Sequence, residues 1–262
     1  MHPSPDPAGP PARLALVTGG ALRLGRAIVL ALAGAGWDVA IHYQRSAAAA
    51  EEAAARVRAL GRRAATFEFD LAADSGLERL FESCEAALGP VQCLVNNASR
   101  FVADSASDFT PREFDAHMRV NTLAPLQLAR TLHARLPGAL DGVVVNLLDQ
   151  KLWNPNPDFF TYTLSKAALE SATGLMARAL APRVRVVGVA PGISLPAPGQ
   201  SQGAFEAAHR ATPLGRGSTP EDVGAAVAYL AAARAVTGTT LLVDGGQHLL
   251  PTRRDILFLK TN

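Results

Sequence analysis

Cysteine, lysine and long apolar runs are all scarce in this sequence, and each scarcity argues against a class of protein. Cys84 and Cys93 are the only two cysteines among 262 residues and form no C-x-x-C motif, so we expect free thiols in a reducing compartment, the cytoplasm. The six histidines show no metal-ligand spacing with cysteines or carboxylates, so the sequence predicts no metal site. No run of about eighteen apolar residues is present, so we expect no membrane-spanning segment. A net charge of +2 without any basic run gives no reason to expect a nucleic-acid partner.

The first twelve residues contain five prolines and no apolar core segment. We expect residues 1–12 to form a disordered, Pro-rich mobile arm that is neither a signal peptide nor a membrane anchor. Residues 13–262 are then expected to form one domain, since 48% of the chain is hydrophobic and can supply an ample core.

Short β-branched or apolar runs alternate with alanine-rich helical stretches over most of the chain. This alternation predicts an α/β, Rossmann-type, doubly wound and mostly parallel sheet of seven strands with helices on both faces. The predicted strands are 14–18, 39–43, 64–69, 92–96, 142–148, 184–190 and 240–243. The predicted helices are 24–35, 47–60, 75–88, 111–135, 161–180 and 220–232. Residues 194–203 contain too much Pro and Gly for a helix, so they are predicted to form a mobile loop over the carboxyl edge of the sheet.

Tyr162 is followed four residues later by Lys166, one of only three lysines among 25 basic residues; the others are Lys151 and Lys260. Residues four apart share one face of a helix, so the phenol and the ammonium are expected to project together. A positive charge beside a phenol is expected to lower its pKa, which favours a proton donor for reducing a polarised double bond. An acidic side chain, Asp149, lies thirteen residues before the tyrosine. Such a pair arises by chance with a likelihood of roughly 0.03, and the alternative is an ordinary helix with a surface lysine, so the motif needs confirming context.

A strand, a glycine turn and a helix are predicted for LALVTGGALRLGRAI. Backbone N–H groups of such a turn and the helix N-terminus can approach a pyrophosphate, although tight strand–helix turns also use glycine for structural reasons alone. Asp70 follows the third predicted strand, Asn97 and Ala98 the fourth, and Pro191 and Gly192 the sixth. Because these strands end at one sheet edge, the coincidence favours a nucleotide site there.

These motifs resemble the short-chain dehydrogenase/reductase family over residues 13–246: TGGALRLG, NNAS, Asn121, YTLSK and the PG after the sixth strand. The resemblance implies that Tyr162 is the proton donor, that Lys166 binds the nicotinamide ribose and tunes the tyrosine, and that Asn121 supports a proton-relay water. The cofactor-binding residues expected from the resemblance and the sheet edge are Gly19, Arg23, Leu24, Gly25, His42, Tyr43, Arg45, Ser46, Asp70, Leu71, Asn97, Ala98, Ser99, Asn121, Tyr162, Lys166, Pro191, Gly192 and Ser194.

The end of the second predicted strand indicates which nicotinamide cofactor is used. An acidic residue there would bind the ribose hydroxyl of NAD, but Asp38 lies at the opposite end of that strand. Arg45 instead offers a guanidinium for a 2′-phosphate, and Ser46 begins a helix whose N-terminus favours anions. We therefore expect NADPH; the alternative is that Arg45 is a solvated surface residue.

Two positions depart from the wider family, which usually has glycine where this chain has Arg23 and serine where it has Asp149. The serine hydroxyl of a carbonyl reductase donates to a ketone oxygen, whereas an ionised aspartate cannot donate and would repel a developing alkoxide. A ring C=N bond is different, because its nitrogen must receive a proton as hydride reaches the adjacent carbon, and an Asp–Tyr pair suits that task. The alternative is that Asp149 is an inactivating substitution or a surface residue.

Arg23 and Asp149 together resemble the pteridine reductase branch of the family, as do HYQRSAA, NNASRF and PGIS. The resemblance implies that a pterin lies between the nicotinamide and the ring of Phe101, and that Arg23 and Ser99 contact both cofactor and substrate. An aromatic platform suits a flat heteroaromatic ring, although Phe101 could also be an ordinary core residue. The expected substrate-binding residues are Arg23, Ser99, Phe101, Asp149 and Tyr162.

The expected function is therefore NADPH-dependent reduction of a ring C=N of dihydropterins such as dihydrobiopterin or dihydromonapterin, with dihydrofolate as a further candidate. Two alternatives remain: an NADPH-dependent carbonyl (3-oxoacyl) reductase, and a regulator that binds NADPH without turnover. The apolar residues at 256–259 would be costly to leave in water, so we expect them to pack on a neighbouring subunit. The resemblance implies a homotetramer.

Overall fold

The computed structural model describes residues 13–73, 75–196 and 200–258, and the predicted N-terminal arm lies outside them. Seven strands form one sheet in the order β3-β2-β1-β4-β5-β6-β7, and every neighbouring pair is parallel. The strands are β1 Arg13–Val17, β2 Trp37–Tyr43, β3 Ala64–Glu68, β4 Val91–Asn96, β5 Gly142–Leu147, β6 Val184–Pro191 and β7 Thr240–Val243. The helices are α1 Arg23–Gly34, α2 Ala47–Ala59, α3 Leu77–Leu88, α4 Pro111–Met118, α5 Ala124–Arg135, α6 Phe160–Ala179, α7 Gln202–Arg210 and α8 Pro220–Ala232. The predicted doubly wound parallel fold is confirmed.

The core has two layers, one on each face of the sheet. Side chains of β1 alternate between them: Ala15 and Val17 pack with α1, α2 and α8, whereas Leu14 and Leu16 pack with α3 and α5. This alternation follows from the two-residue period of a strand. Both faces of the central strands are therefore buried, which is why these strands have nearly continuous apolar sequences.

The strand order reverses between β1 and β4, which are hydrogen-bonded neighbours although β2 and β3 lie between them in the chain. Connections leave these two strands in opposite directions, and a crevice opens at their carboxyl ends. The loops that carry the predicted site residues converge on this crevice.

The single helix predicted for residues 111–135 is interrupted in the structure. A π-helical turn, Arg119–Leu123, separates α4 from α5. Pro125 lies in the first turn of α5, where it has no N–H to donate to the preceding helical turn, and the wider turn accommodates this gap. Asn121 lies within the π-helical turn.

The predicted C-terminal end of the loop at residues 194–203 is wrong, because α7 begins at Gln202. The Ser201 hydroxyl accepts a hydrogen bond from the backbone N–H of Ala204 at 3.2 Å and so caps the helix. Ala208 is buried and Phe205 packs on His209 with ring centroids 4.3 Å apart. Capping and tertiary packing thus outweigh the unfavourable helix propensity of Gly203. Residues 197–199 of the predicted loop lie outside the described residues.

The segment after β7 packs against residues of the same chain between β5 and α6. The Asn154 side-chain amide donates to the carbonyl of Leu250 at 2.7 Å, and Arg254 binds the carboxylate of Asp158. Phe258 stacks on the ring of Phe159 yet remains 44% exposed. The predicted contact of this segment with a neighbouring subunit stays a prediction, and Leu259 lies outside the described residues. None of the helices in the described part of the chain combines the length and apolar character needed to cross a membrane.

Candidate active site

A cleft of about 790 Å³ lies at the carboxyl edge of the sheet, across the strand-order reversal. Most residues predicted for cofactor and substrate binding line it. They are Gly19, Arg23, Leu24, Gly25, His42, Arg45, Asp70, Leu71, Asn97, Ala98, Ser99, Phe101, Asp149, Tyr162, Lys166, Pro191, Gly192 and Ser194. Tyr43, Ser46 and Asn121 are not among the lining residues.

The glycine turn between β1 and α1 is closely packed. Gly19 has a left-handed φ of 62°, which glycine adopts without strain. A Cβ on Gly25 would overlap the carbonyl oxygen of Gly19 and lie 2.7 Å from the side-chain nitrogen of Asn97. The spacing of the glycines therefore reflects a steric need of the turn, which lines the cleft at Gly19 and Gly25.

Neighbouring loops hold this turn in place. The Asn97 side-chain amide donates to the carbonyls of Thr18 and Gly19, at 2.9 and 3.1 Å. The Thr18 hydroxyl accepts from the backbone N–H groups of Asn97 and Ala98, both at 3.0 Å. The NNAS motif after β4 therefore stabilises the conformation of the glycine turn through these hydrogen bonds.

His42, at the carboxyl end of β2, supports the same turn. Its Nδ1 accepts a hydrogen bond from the Gly19 N–H at 3.1 Å, which leaves the proton on Nε2 to donate to the carbonyl of Phe69 at 3.0 Å. Burial lowers the pKa of this histidine to about 4, although the Phe69 carbonyl and Asp70 oppose the shift. His42 is therefore neutral at neutral pH.

Arg23 adopts a left-handed φ of 50°, a conformation that costs a non-glycine residue roughly 1–2 kcal/mol. Its Nη2 donates to the carbonyl of Pro196 at 3.0 Å, so the guanidinium bridges the turn and the loop after β6. A glycine at this position would avoid the strain but would provide neither this bridge nor a positive charge in the cleft.

The residues at the two ends of β2 differ in role. Asp38, at the amino end, is 1% exposed and pairs with Arg63 at 2.7 Å and with Arg62 at 3.3 Å. These ion pairs are structural, and Asp38 does not line the cleft. Arg45, beyond the carboxyl end, is exposed and lines the cleft, and Ser46 lies at the N-cap of α2.

Tyr162 and Asp149 meet in the same cleft. The phenol donates a hydrogen bond to Oδ2 of Asp149 at 2.9 Å. The second carboxylate oxygen, Oδ1, accepts from the backbone N–H of Lys151 at 2.8 Å and caps the short 3-10 turn Gln150–Leu152 after β5. Asp149 is therefore a fixed part of the cleft, and the alternative of a surface residue is wrong.

The effect of the environment on the tyrosine is opposite to the prediction. Burial, followed by the charge and hydrogen bond of Asp149, raises the pKa of Tyr162 well above its usual value. Burial also raises the pKa of Asp149, against the opposing effect of its hydrogen bonds and of Lys166. The predicted lowering was wrong for this arrangement because it considered the lysine without the burial of the phenol, which is the largest cause, and without the nearer carboxylate. The phenol consequently keeps its proton.

Lys166 is 3% exposed, so it is not a surface lysine. Its Nζ donates to the carbonyl of Leu147 at 2.7 Å and lies 5.9 Å from the centroid of the Tyr162 ring. Burial lowers the pKa of this ammonium to about 8, partly offset by Asp149. The three predicted residues Asp149, Tyr162 and Lys166 thus form one polar cluster, in which Tyr162 and Lys166 are buried and Asp149 is half-buried.

Asn121 is fully buried behind this cluster. Its side-chain oxygen accepts from the backbone N–H of Arg100 at 2.8 Å, and its amide donates to the Arg100 carbonyl at 2.9 Å and to the Ser165 hydroxyl at 3.0 Å. These bonds connect the π-helical turn with the loop after β4 and with α6. Its predicted role beside a relay water stays a prediction.

An aromatic cluster forms one wall of the cleft. Phe101 stacks on Phe159 with ring centroids 4.2 Å apart and meets the edge of Tyr162 at 4.7 Å. Phe101 is 46% exposed and lines the cleft, so it is not an ordinary core residue. Phe159 takes a left-handed φ of 54° immediately before α6. One strained residue, Arg23, therefore lines the cleft, and the other, Phe159, is buried behind the lining residue Phe101.

Sequence reasoning missed several lining residues that lie far along the chain from the motifs. Gln247, Asp255 and Ile256 belong to the segment after β7, and they too line the cleft. Gln247 accepts from the backbone N–H of Ile193 at 3.1 Å. No local sequence pattern indicates these residues, because they reach the site only through the tertiary packing of the segment after β7. Within residues 13–73, 75–196 and 200–258, no group of three or more His, Cys, Asp or Glu side chains is arranged to hold a metal ion.

Comparison with known proteins identifies relatives along nearly the whole chain. A family model described as enoyl-(acyl carrier protein) reductase matches residues 20–248. A short-chain type dehydrogenase/reductase of Picea abies is 33% identical, over 90% of this chain and 92% of its own length. Pteridine reductase 1 of Leishmania tarentolae is 33% identical, over 92% of this chain and 98% of its own length.

The fold also has a close counterpart among solved structures. FolM alternative dihydrofolate reductase 1 of Brucella suis, in complex with NADP, superposes with a TM-score of 0.87. It is 42% identical, and the match covers 91% of this chain and 96% of that one. The chain therefore belongs to the short-chain dehydrogenase/reductase family of oxidoreductases.

Proposed function

We propose that this protein is an NADPH-dependent pteridine reductase that reduces a ring C=N bond of dihydropterins, with dihydrofolate as a further candidate substrate. The observation that carries the proposal is the 2.9 Å hydrogen bond from the Tyr162 phenol to the carboxylate of Asp149 inside the cleft. A carbonyl reductase needs a hydroxyl donor at this position, whereas a basic ring nitrogen needs a proton source held by a carboxylate.

Residues of the cleft fit a dinucleotide that carries a 2′-phosphate. The glycine turn and the N-terminus of α1 line the cleft, and Arg23 and Arg45, which also line it, add positive charge. Asp38, the acidic residue of β2, lies away at the amino end and is occupied by two arginines. The Brucella suis relative in complex with NADP supports the same cofactor here. Bound NADPH would supply hydride to the substrate.

The remaining steps belong to side chains of this chain. Phe101 offers a ring face, backed by Phe159, for a flat heteroaromatic substrate, worth about 0.5–1.5 kcal/mol beyond burial. Burial and Asp149 raise the pKa of Tyr162, so the phenol keeps its proton until a ring nitrogen becomes more basic during reduction. The proton then passes from Oη to that nitrogen, and the Lys166 ammonium stabilises the phenolate that is left. Asp149 orients the phenol, and Lys166 places a positive charge next to the pair.

We further propose that the protein works as a homotetramer in the cytoplasm, with a small pterin-like molecule as its substrate. The pteridine reductase relative supports the substrate class.

The proposal is tested by following NADPH oxidation by the purified protein with dihydrobiopterin, dihydromonapterin and dihydrofolate, beside small ketones and a 3-oxoacyl thioester. Turnover of the pterins and not of the ketones is expected. Turnover of ketones alone would replace the proposal with the carbonyl reductase alternative. NADPH binding without oxidation of any compound would favour the regulator.

A further inference from the structure

The C-terminal segment (residues 254–258) is fastened to the chain between Asp149 and α6, next to the catalytic cluster. Arg254 Nε donates to both carboxylate oxygens of Asp158, at 2.9 and 2.8 Å. The backbone N–H of Asp255 donates to Oδ2 of Asp158 at 2.7 Å. Phe258 stacks on Phe159 with ring centroids 5.6 Å apart, and Phe159 in turn stacks on Phe101, which lines the cleft.

Lys151 connects this segment with the catalytic carboxylate. Its ammonium lies 3.0 Å from Oδ2 of Asp255, with side-chain exposures of 4% for the lysine and 18% for the aspartate. A buried ammonium needs such a partner, because an unpaired charge in the interior is strongly destabilising. The backbone N–H of the same lysine donates to Oδ1 of Asp149. One residue therefore contacts Asp149 through its main chain and Asp255 through its side chain.

Asp255 and Ile256 are at the same time part of the cleft wall, together with Asp149 and Tyr162. Asp255 therefore touches the cleft and, through Lys151, the residue that holds Asp149. Its position near the proton-donating pair gives it an electrostatic influence on that pair.

We propose that Lys151 and Asp255 are positioning residues that set the proton affinity of Asp149, so that the C-terminal segment forms part of the active site. The inference rests on the proposed function only for the identity of the substrate. The electrostatic coupling itself concerns groups of this chain.

The sign of the coupling follows from the charges that face Asp149. Tyr162 and Lys166 of α6 face this carboxylate, and so does the Lys151 N–H of the 3-10 turn. Asp255 faces it from the C-terminal segment. His117 of α4 packs against the Tyr162 ring, with ring centroids 6.2 Å apart. The carboxylate of Asp255 adds to burial in raising the pKa of Asp149. Removing the charge of Asp255 should therefore lower this pKa. Removing the charge of Lys151 should raise it, because Asp255 then loses its counter-charge.

The experiment is a titration of protein labelled with ¹³C at the aspartate carboxyl carbons, followed by NMR, with the Asp149 signal assigned by its loss in Asp149→Asn. In Asp255→Asn the pKa of Asp149 should fall, and in Lys151→Met it should rise, each by roughly half a unit to one unit. Lys151→Arg keeps the positive charge and should stay close to the wild-type value. Asp141→Asn, an exposed aspartate at the opposite edge of the sheet, is the matched control and should cause no shift.

Opposite shifts in the two variants would support the inference, since a merely loosened segment moves Asp149 in the same direction in both. Shifts of the same sign, or none, would overturn it. If Lys151→Met does not fold, Asp255→Asn decides alone: a lowered pKa supports the inference and an unchanged pKa overturns it.

The pH dependence of turnover separates this inference from the proposed function. If dihydropterins are reduced, the limb of the pH–rate profile that reports Asp149 should move with the NMR pKa in each variant. If the NMR shifts appear and no dihydropterin is reduced, the proposed function fails and the coupling stands. If dihydropterins are reduced and the shifts are absent, the coupling fails and the proposed function stands.

Discussion

Asp149 is the side chain on which the choice of reaction depends. Its two oxygens are both occupied, one by the Tyr162 phenol and one by the Lys151 N–H. Replacement by alanine removes the partner that orients the phenol but touches no residue of the glycine turn.

We therefore expect Asp149→Ala to lower kcat for dihydropterin by at least about 100-fold, within the range of positioned acid–base groups. NADPH affinity should be unchanged, because the turn and Arg45 are intact. Steady-state kinetics and a fluorescence titration with NADPH measure the two effects. An Asp149→Ala enzyme as active as the wild type would contradict the assigned role.

Arg45 allows the cofactor preference to be tested. Arg45→Ala should raise the KM for NADPH by about ten- to a hundredfold, since a hydrogen bond to a charged group contributes about 1.5–3 kcal/mol. The KM for NADH should change little. Arg56→Ala is the matched control, because Arg56 is an exposed residue of α2 that does not line the cleft. Equal effects on both cofactors would reject Arg45 as the phosphate anchor.

His42 predicts a pH dependence of stability. Its pKa of about 4 in the folded protein lies below the ordinary value of 6.5, so the unfolded chain binds the proton more readily between these values. The free energy of unfolding should therefore fall as the pH drops from 6.5 toward 4, with up to about 3 kcal/mol from this group.

His42→Asn keeps an acceptor for the Gly19 N–H but does not titrate. Urea unfolding between pH 4 and 7 should show a smaller loss of stability for this variant than for the wild type. The same pH dependence in both proteins would mean that other groups dominate this window.

At the scale of elements, the connection from β1 to α1 decides whether a dinucleotide can approach the sheet. Its conformation depends on contacts with the loop after β4, as the bonds from Asn97 to Thr18 and Gly19 demonstrate. A change in packing inside the turn should therefore affect stability and cofactor binding together.

Gly25→Ala tests this packing, since the added Cβ would overlap the Gly19 carbonyl. We expect a loss of about 1–3 kcal/mol in the free energy of unfolding and a weaker binding of NADPH. Gly34→Ala is the matched control at the end of the same helix, where an added Cβ meets no atom within 4 Å. That variant should be as stable as the wild type or more so, because alanine reduces the entropy of the unfolded chain. Chemical denaturation and NADPH titration of both variants provide the comparison.

At the scale of the whole molecule, apolar side chains remain exposed where the chain ends. Leu249, Leu250 and Phe258 are 64%, 44% and 44% exposed in a single chain. Exposed apolar side chains are typical of a surface that another protein covers when they lie in one patch. We expect a mass of four chains by size-exclusion chromatography with light scattering. A monomer at micromolar concentration would contradict the proposed homotetramer.

The sequence alone determined the layered α/β fold and the motifs at the carboxyl edge, because the period of apolar residues and the glycine spacing are local properties. It also brought Tyr162 and Lys166 to one helix face by their spacing. It did not predict α7, because Ser201 capping and side-chain packing overcame the weak propensity of that segment. Nor did it predict the π-helical turn that carries Asn121.

Only the tertiary structure decided the electrostatics of the site. The direction of the Tyr162 pKa shift depends on burial and on a carboxylate thirteen residues away, and the Lys151–Asp255 pair joins residues 104 positions apart. A charge acts through space and through the dielectric of its surroundings, and both depend on how the complete chain packs.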